Sequence, residues 1–536
     1  MQRCVASSLR LAAISWPDAT AVIIGAQRMT YAQLWHEARN YASALARCGI
    51  EAGQHVGILM PNCLEYILLF YGCNLLGASP VHINSRYKRE DLRYVLEHSD
   101  IRLLFTSAHQ REFHDFHAML CDVYPELVDW RHGRSLQISA APLIRSIYEF
   151  HASDSCQWGS ERDFLEARDV RINGDFREPR ADDIALIMYT SGTTANPKAC
   201  LLSNSALERV GHALTERWGM THADRLWDPL PFFHMSTMLP LAACRAVGAT
   251  FIASEHFSAE PALREITGEH ATILYPSFPA ISNALFEHPE FDPSRLDNVR
   301  IVNNVGPPEL LRRYAQALPG ATHVSAYGLT EAGGVISFGS PNDSEEKLRE
   351  TGGQPFAGID VRIVDPVTLL PVPTGTPGEI WIRGPTLFSG YYKDPAKTAE
   401  VMTQDGYLRS GDLGSLDTTG HIRYLGRIKD MLKVGGENVA ALEIESFLST
   451  HPEIKLAQVI GVPDLRLQEV PAAFLELREG SRITATDVVK YCQGQIASYK
   501  IPRYVQFVSE WPMSSTKIQK FRLREQWTDT ARVDLA

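Results

Sequence analysis

The chain has 536 residues, 45% of them hydrophobic and 21% charged, with a formal net charge of -11. That composition is globular and excludes a disordered or fibrous chain, while the length exceeds one ordinary core and calls for at least two folding units. The acidic balance supplies no global positive field for a nucleic-acid backbone or an anionic membrane, so nucleic acid is not an expected partner.

Arg3 and Arg10 flank too short an apolar stretch for a signal peptide. The nine cysteines stand singly, with no CxxC pair and no histidine companion at metal-ligand spacing, as expected of reduced thiols in a cytoplasmic protein. Residues 21–24 and 56–60 are β-rich and alternate with helix-like stretches at 31–47 and 63–76, the texture of a layered α/β domain. The most apolar run, 66–76, is shorter than the ~20 residues a membrane helix needs, so a buried helix is expected and no transmembrane segment. A strand is expected at 102–106. From about 131 to 180 the chain is polar and irregular and reads as a surface excursion.

Short apolar strands return at 184–188, 250–253, 272–275 and 300–303, separated by helix-length segments, which predicts a buried parallel sheet. After Gly352 the strands at 361–364 and 379–383 are punctuated by Gly and Pro, as in a smaller β-rich subdomain. The last hundred or so residues read as helix 441–449, strands 457–461 and 472–477, and helix 484–495. The expected fold is therefore α/β. A large unit, 1–428, holds layered α/β subdomains and the β-rich subdomain, and a small α+β unit, 429–536, follows a boundary near Lys429.

Directly after the strand at 184–188 come Tyr189, Thr190, Ser191, Gly192, Thr193, Thr194, Ala195, Asn196, Pro197 and Lys198. Small hydroxyl residues around a glycine expose backbone N–H groups and O–H donors, and Lys198 adds a point charge, a suitable cradle for polyphosphate. The competing reading is a Thr/Ser-rich surface turn. A Walker loop is excluded, because Pro197 precedes the lysine and no Ser or Thr follows it. The segment instead resembles the TSGTTG-x-PKG loop of the adenylate-forming superfamily, which includes acyl-CoA synthetases, luciferases and peptide-synthetase adenylation domains. Ala195 and Ala199 replace two of that loop's glycines. Since Ala resists backbone conformations that Gly allows, a stiffer loop and slower nucleotide exchange are expected.

Further segments resemble the same superfamily in its own order. Tyr327, Gly328, Leu329, Thr330 and Glu331 are similar to YGxTE, which implies an aromatic ring on adenine and a hard carboxylate ligand for Mg²⁺ at Glu331. Arg409, Ser410, Gly411 and Asp412 resemble RTGD, whose Asp accepts hydrogen bonds from both ribose hydroxyls. Gly426 to Asp430 resemble GRxKD, implying a ribose contact for Arg427 and a hinge at Lys429. Gly435 and Gly436 lie in a segment similar to the glycine-rich loop that lines the thiol's route.

Residues 512–521 resemble the terminal segment of medium-chain acyl-CoA synthetases, whose lysine contacts the reacting carboxylate. That role falls to Lys517, with Lys520 the alternative because the glycine before Lys517 is missing. Phe232, Phe233 and His234 resemble the segment bordering the acid, with His234 as a gate. Asn304, Val305, Gly306 and Pro307 stand where the family has a GAAP-like turn beside adenine.

The resemblance implies ATP, Mg²⁺ and coenzyme A as cofactors and an apolar carboxylic acid as substrate, closest to the medium- and long-chain acyl-CoA synthetases. Two alternatives stay open: an acyl-AMP ligase that loads a carrier-protein phosphopantetheine, and a nucleotide-binding protein whose chemistry has decayed. The identity of the acid and the oligomeric state, a homodimer included, are not legible in the sequence.

Overall fold

The structure is a computed structural model that describes residues 4–153, 156–166, 179–190, 196–434, 437–513 and 518–527. Two sheets organise its larger part. The first runs Ser146–Phe150, Ile101–Ser107, His55–Leu59, Ser79–His82, Ile184–Thr190 and Lys198–Ser203, parallel until the last strand, which turns back antiparallel. The second runs Thr322–Val324, Ile301–Asn304, Ile273–Ser277, Arg225–Asp228, Thr250–Ala253, Thr20–Ile24 and Gln27–Thr30, with only the final pair antiparallel.

Successive strand residues face opposite ways, so each sheet contributes to two cores. Val56, Ile58, Leu186 and Met188 of the first sheet share one core with Leu226, Phe251 and Tyr275 of the second. The helices Val5–Ser15, Tyr31–Arg47, Leu64–Leu76, Asn204–Trp218 and Met235–Val247 fill the layer between them. Leu104 and Ile187 face an outer core with helices Arg89–His98 and Phe116–Val123. Trp227, Ile252 and Leu274 do the same on the far side with helices Ala259–Gly268 and Pro279–Phe286. Burial on both faces is why these strands read as unbroken apolar runs.

Local chemistry sets the helices in this frame. Thr30 and Gln33 form a capping box at the start of Tyr31–Arg47, whose Tyr31, Leu34, Ala38, Tyr41 and Leu45 make one buried stripe. All thirteen residues of Leu64–Leu76 are buried. Among the described residues no helix is long and apolar enough to cross a membrane.

A four-stranded antiparallel sheet follows, Asp360–Val364, Gly378–Arg383, Leu408–Leu416 and Ile422–Arg427. A five-stranded sheet then starts at Met431–Val434 and includes Glu437–Ala440, Ile454–Asp464, Gln468–Leu477 and Tyr504–Phe507. Helices Ala441–Leu448 and Ala485–Cys492 cover one of its faces, and Lys520–Gln526 packs on the other.

Two expectations are corrected. The stretch 131–180 is not only a surface excursion: it supplies the strand Ser146–Phe150 and the helix Glu161–Glu166, and Ile147, Trp158 and Phe164 are buried. Its strand carries a charged residue, Glu149, which is satisfied inside the fold by Arg111 and His117 and so blurs the apolar pattern. The strands at 184–190 and 250–304 also do not share one sheet. Thr20–Ile24 instead joins Thr250–Ala253, because pairing is settled by packing across the shared helical layer rather than by chain order.

Within that layer Arg245, 3% exposed, pairs with Glu208 and donates to the Tyr71 hydroxyl at 3.1 Å, while Ser8 donates to Glu208. Removing Glu208 strands a buried cation, so Glu208→Ala is expected to lose about 3–5 kcal/mol, against a small loss for a Glu208→Leu/Arg245→Leu double variant. Denaturant unfolding of the two variants, compared with the parent, checks this.

Candidate active site

The strand Ile184–Thr190 pairs with its antiparallel neighbour Lys198–Ser203, which sets Thr190 opposite Lys198. Ser191, Gly192, Thr193 and Thr194 lie outside the described residues, as do Gly435, Gly436 and Lys517. Lys198 holds its Nζ 5.3 Å from the centre of the Tyr391 ring. The Tyr391 hydroxyl donates to Glu331 Oε1 at 2.8 Å. One aromatic residue thus ties the phosphate-side lysine to the predicted metal carboxylate.

Tyr327, Gly328, Thr330 and Glu331 lie on a close-packed turn. A Cβ on Gly328 would stand 2.4 Å from the Gly334 carbonyl oxygen and Val335 Cα, so only glycine lets the two passes of chain touch there. A Cβ on Gly334 would meet Met235 Cβ at 2.8 Å, which sets this turn against the first residue of the helix Met235–Val247. His234 is the N-cap of that helix and its ring lies 4.7 Å from that of Phe233.

Asp412, 2% exposed, sits at the centre of the second cluster. Its Oδ1 faces Arg427 Nε at 2.9 Å and its Oδ2 accepts from the Tyr327 hydroxyl at 2.8 Å. Arg427 also donates to the Ser410 carbonyl at 3.1 Å. Each carboxylate oxygen has a further lone pair, so acceptor capacity is left for a diol. The Tyr327 ring stacks on Tyr424 with centroids 5.8 Å apart and planes at 27°. Gly411 has φ +70° and its N–H donates to Glu379 Oε1 at 3.0 Å, so a buried carboxylate on the neighbouring strand holds this turn.

Burial opposes the charge on Arg427, but Asp412 above all, with Tyr424, Tyr327 and Glu331 after it, outweighs that and raises the guanidinium above its ordinary range. Lys429 is exposed, yet the protein packed around it pulls its ammonium below the usual lysine range, helped by the charges of Arg427, Arg524 and Lys198. Gly306 follows the strand Ile301–Asn304, against Leu310 and Pro279. Thr190 is the last residue of a parallel strand, and His234 and Gly306 follow the carboxyl ends of two others, the usual place for a ligand crevice in open α/β sheets.

Residues 9–392 match the AMP-binding enzyme family, and residues 443–517 match the AMP-binding enzyme C-terminal domain. The chain belongs to the AMP-binding enzyme family. It is an AMP-forming acid:CoA ligase by the class of its full-length relatives. YngI of Bacillus subtilis (strain 168), provisionally named an acyl-CoA synthetase, is 33% identical over 529 residues that cover 97% of this chain and 96% of YngI. The human mitochondrial medium-chain acyl-CoA ligase ACSF2 is 30% identical, covering 98% of this chain and 87% of its own. The crystal structure of the anthranilate CoA ligase AuaEII in complex with anthranoyl-AMP superposes with a TM-score of 0.86 at 25% identity, over 98% of this chain and 97% of that one.

In this AMP-binding enzyme three supporting residues were missed in the sequence. Tyr391 and Glu379 make their contacts across strands and turns, with no local motif to announce them. Asp228 is fully buried before the Pro231 to His234 turn, where burial pushes its carboxyl well above the usual range and Oδ1 accepts from the Leu230 N–H at 2.8 Å. Tyr391→Phe keeps the ring beneath Lys198 and deletes only the hydroxyl on Glu331. Loss of a hydrogen bond to a charged group costs about 1.5–3 kcal/mol, so the variant is expected to fold with stability lowered by about that much and, with Glu331 no longer oriented, kcat/KM for ATP to fall roughly tenfold or more. Steady-state kinetics with ATP as the varied substrate checks this.

Proposed function

We propose that this protein is an acyl-CoA synthetase that activates an apolar carboxylic acid as its acyl-adenylate and passes the acyl group to coenzyme A. The observation that carries the reading is the presence of two clusters, Lys198–Tyr391–Glu331 and Tyr327–Asp412–Arg427. The medium-chain name of the human relative supports an apolar acid, and nine free thiols support a reducing, cytoplasmic setting.

A carboxylate oxygen of the acid attacks the α-phosphorus of ATP, and the bond to the β-phosphate oxygen breaks, releasing pyrophosphate. Two anions must approach, so cations and oriented donors are needed where charge develops. Lys198 supplies one, with donors from Thr190, Ser191, Gly192, Thr193 and Thr194. Asp412 accepts the ribose hydroxyls while Arg427 holds its carboxylate in place, and Tyr327 offers a ring to adenine near Gly306. Among the described residues Tyr391 is the one donor to the Glu331 side chain, through Oε1, so the remaining oxygen suits a hard cation such as Mg²⁺, which offsets phosphate charge when bound.

In the second step the CoA thiolate attacks the acyl carbon and AMP leaves. Gly435 and Gly436 line the thiol's path, and His234 borders the acid. Lys429 stands between a sheet that ends at Arg427 and one that begins at Met431, which supports a hinge there between units 1–428 and 429–536. Lys520 Nζ is engaged by Glu445 Oε1 at 2.6 Å within the small unit, which favours Lys517 as the lysine that meets the carboxylate.

Pyrophosphate exchange over a panel of acids, followed by thioester detection with CoA and with a holo carrier protein side by side, tests the reading. Exchange with thioester only on the carrier would replace CoA as acceptor, and ATP binding without exchange for any acid would sink the activity. Lys517→Ala is expected to cut adenylate formation by about 10²- to 10³-fold, the usual cost of one such donor, while sparing thioester formation from supplied acyl-adenylate. The same pattern in Lys520→Ala would move the role to Lys520.

A further inference from the structure

Outside the nucleotide clusters, three segments converge on one carboxylate. Glu149 lies in the strand Ser146–Phe150 and is 1% exposed. His117, from the helix Phe116–Val123, places Nδ1 3.0 Å from Glu149 Oε2, and Cys156 Sγ lies 3.0 Å from the same oxygen. The three ligand atoms all lie within 4.8 Å of one another. Arg111 donates to the other oxygen, Oε1, at 2.6 Å.

The surroundings hold these groups in place. The His117 ring stacks on Trp158 with centroids 4.0 Å apart and planes at 20°, which fixes the imidazole's orientation. The segment carrying Cys156 is pinned to the strand: Glu149 N–H donates to the Gly159 carbonyl at 2.8 Å, and Gly159 N–H to Ile147 at 3.2 Å. A Cβ on Gly159 would come 2.6 Å from the Tyr148 ring, so the segment lies tight against it.

Imidazole, carboxylate and thiolate together form the borderline-soft donor set that zinc takes in tetrahedral sites. A hydrogen-bonded network alone would also satisfy Glu149, but a divalent cation at the shared Oε2 answers all three donors at once. We propose that His117 Nδ1, Glu149 Oε2 and Cys156 Sγ form a binding site for one zinc-class divalent cation, with water in the fourth position.

Burial and the neighbouring Glu149 push the Cys156 thiol up to about 11, so in the metal-free protein it is protonated and donates to Glu149. Binding releases that proton to solvent. His117 then coordinates through unprotonated Nδ1 with its proton on Nε2. Thiolate and carboxylate balance the dication, and Arg111 keeps the pairing it already has with Oε1. The site does not draw on the ligase reading, since none of its three ligands belongs to the nucleotide clusters.

The test uses the full chain, freed of metal by chelator dialysis and titrated with Co²⁺ as a spectroscopic probe. The expected result is saturation at one cobalt per chain with tetrahedral d–d bands and a thiolate-to-cobalt charge-transfer band, both removed by added Zn²⁺. Cys156→Ser keeps a hydroxyl donor for Glu149, so its metal-free unfolding midpoint should match the parent, while the charge-transfer band disappears. His117→Gln should weaken cobalt binding by at least about tenfold, the loss an outer-shell partner alone can cause.

A second cluster, Glu65, His151 and Glu161, has its ligand atoms within the same reach but contains no sulfur, so the charge-transfer band tells the two apart. Cobalt bound without that band, a band that survives Cys156→Ser, or no stoichiometric uptake by the parent protein would each overturn the proposal.

Discussion

The buried carboxylate of Asp412 is the constraint on which the proposed nucleotide site turns. A carboxylate with 2% exposure is costly unless it is paired, and here each oxygen has a partner, Arg427 on Oδ1 and the Tyr327 hydroxyl on Oδ2. One partner lies on the neighbouring strand and the other on the turn that leads to Glu331, so satisfying one acid fixes the Tyr327 ring, the turn through Gly411 and the end of the strand Ile422–Arg427 relative to one another. Glu379 repeats the device one strand away by holding Gly411 N–H. The site is stiff because its charges would be expensive to leave alone.

The layered fold makes this possible. Two sheets share a helical layer, and their parallel strands release loops at their carboxyl ends. Thr190 ends one strand of the first sheet and Lys198 begins the next, while His234 and Gly306 follow strands of the second. Tyr391 closes the gap from the far side, with its ring under Lys198 and its hydroxyl on Glu331. The charged pair Arg245–Glu208 lies within the shared layer, between the helix Asn204–Trp218 that follows the strand Lys198–Ser203 and the helix that His234 caps.

Much of the frame was legible in the sequence. The helix Tyr31–Arg47 and the strand Thr250–Ala253 stand where periodicity and β-branching put them, and Leu64–Leu76 is the buried helix that its length implied. The strand Ser146–Phe150 was not legible, because Glu149 interrupts its apolar run and only the folded chain supplies Arg111 and His117 to neutralise it. Sheet membership was likewise hidden. A strand's pattern says that it is buried on both faces but not beside which strand, and Thr20–Ile24 lies against Thr250–Ala253.

The sequence by itself determined the class of chemistry, because the residues that mark it are contiguous: the hydroxyl-rich run before Lys198, the turn that ends in Glu331, the turn that ends in Asp412 and the stretch through Lys429 each carry their meaning within ten residues. Only the tertiary structure decided which groups support them. Tyr391 on Glu331, Glu379 on Gly411 and the meeting of His117 with Cys156 on Glu149 join positions far apart in the chain. Cys156, which stands singly in the sequence, acquires a histidine neighbour in space. The physical reason is that local spacing encodes turns and loops, whereas a buried polar contact exists only once the layers have packed and removed the water that would otherwise have satisfied it.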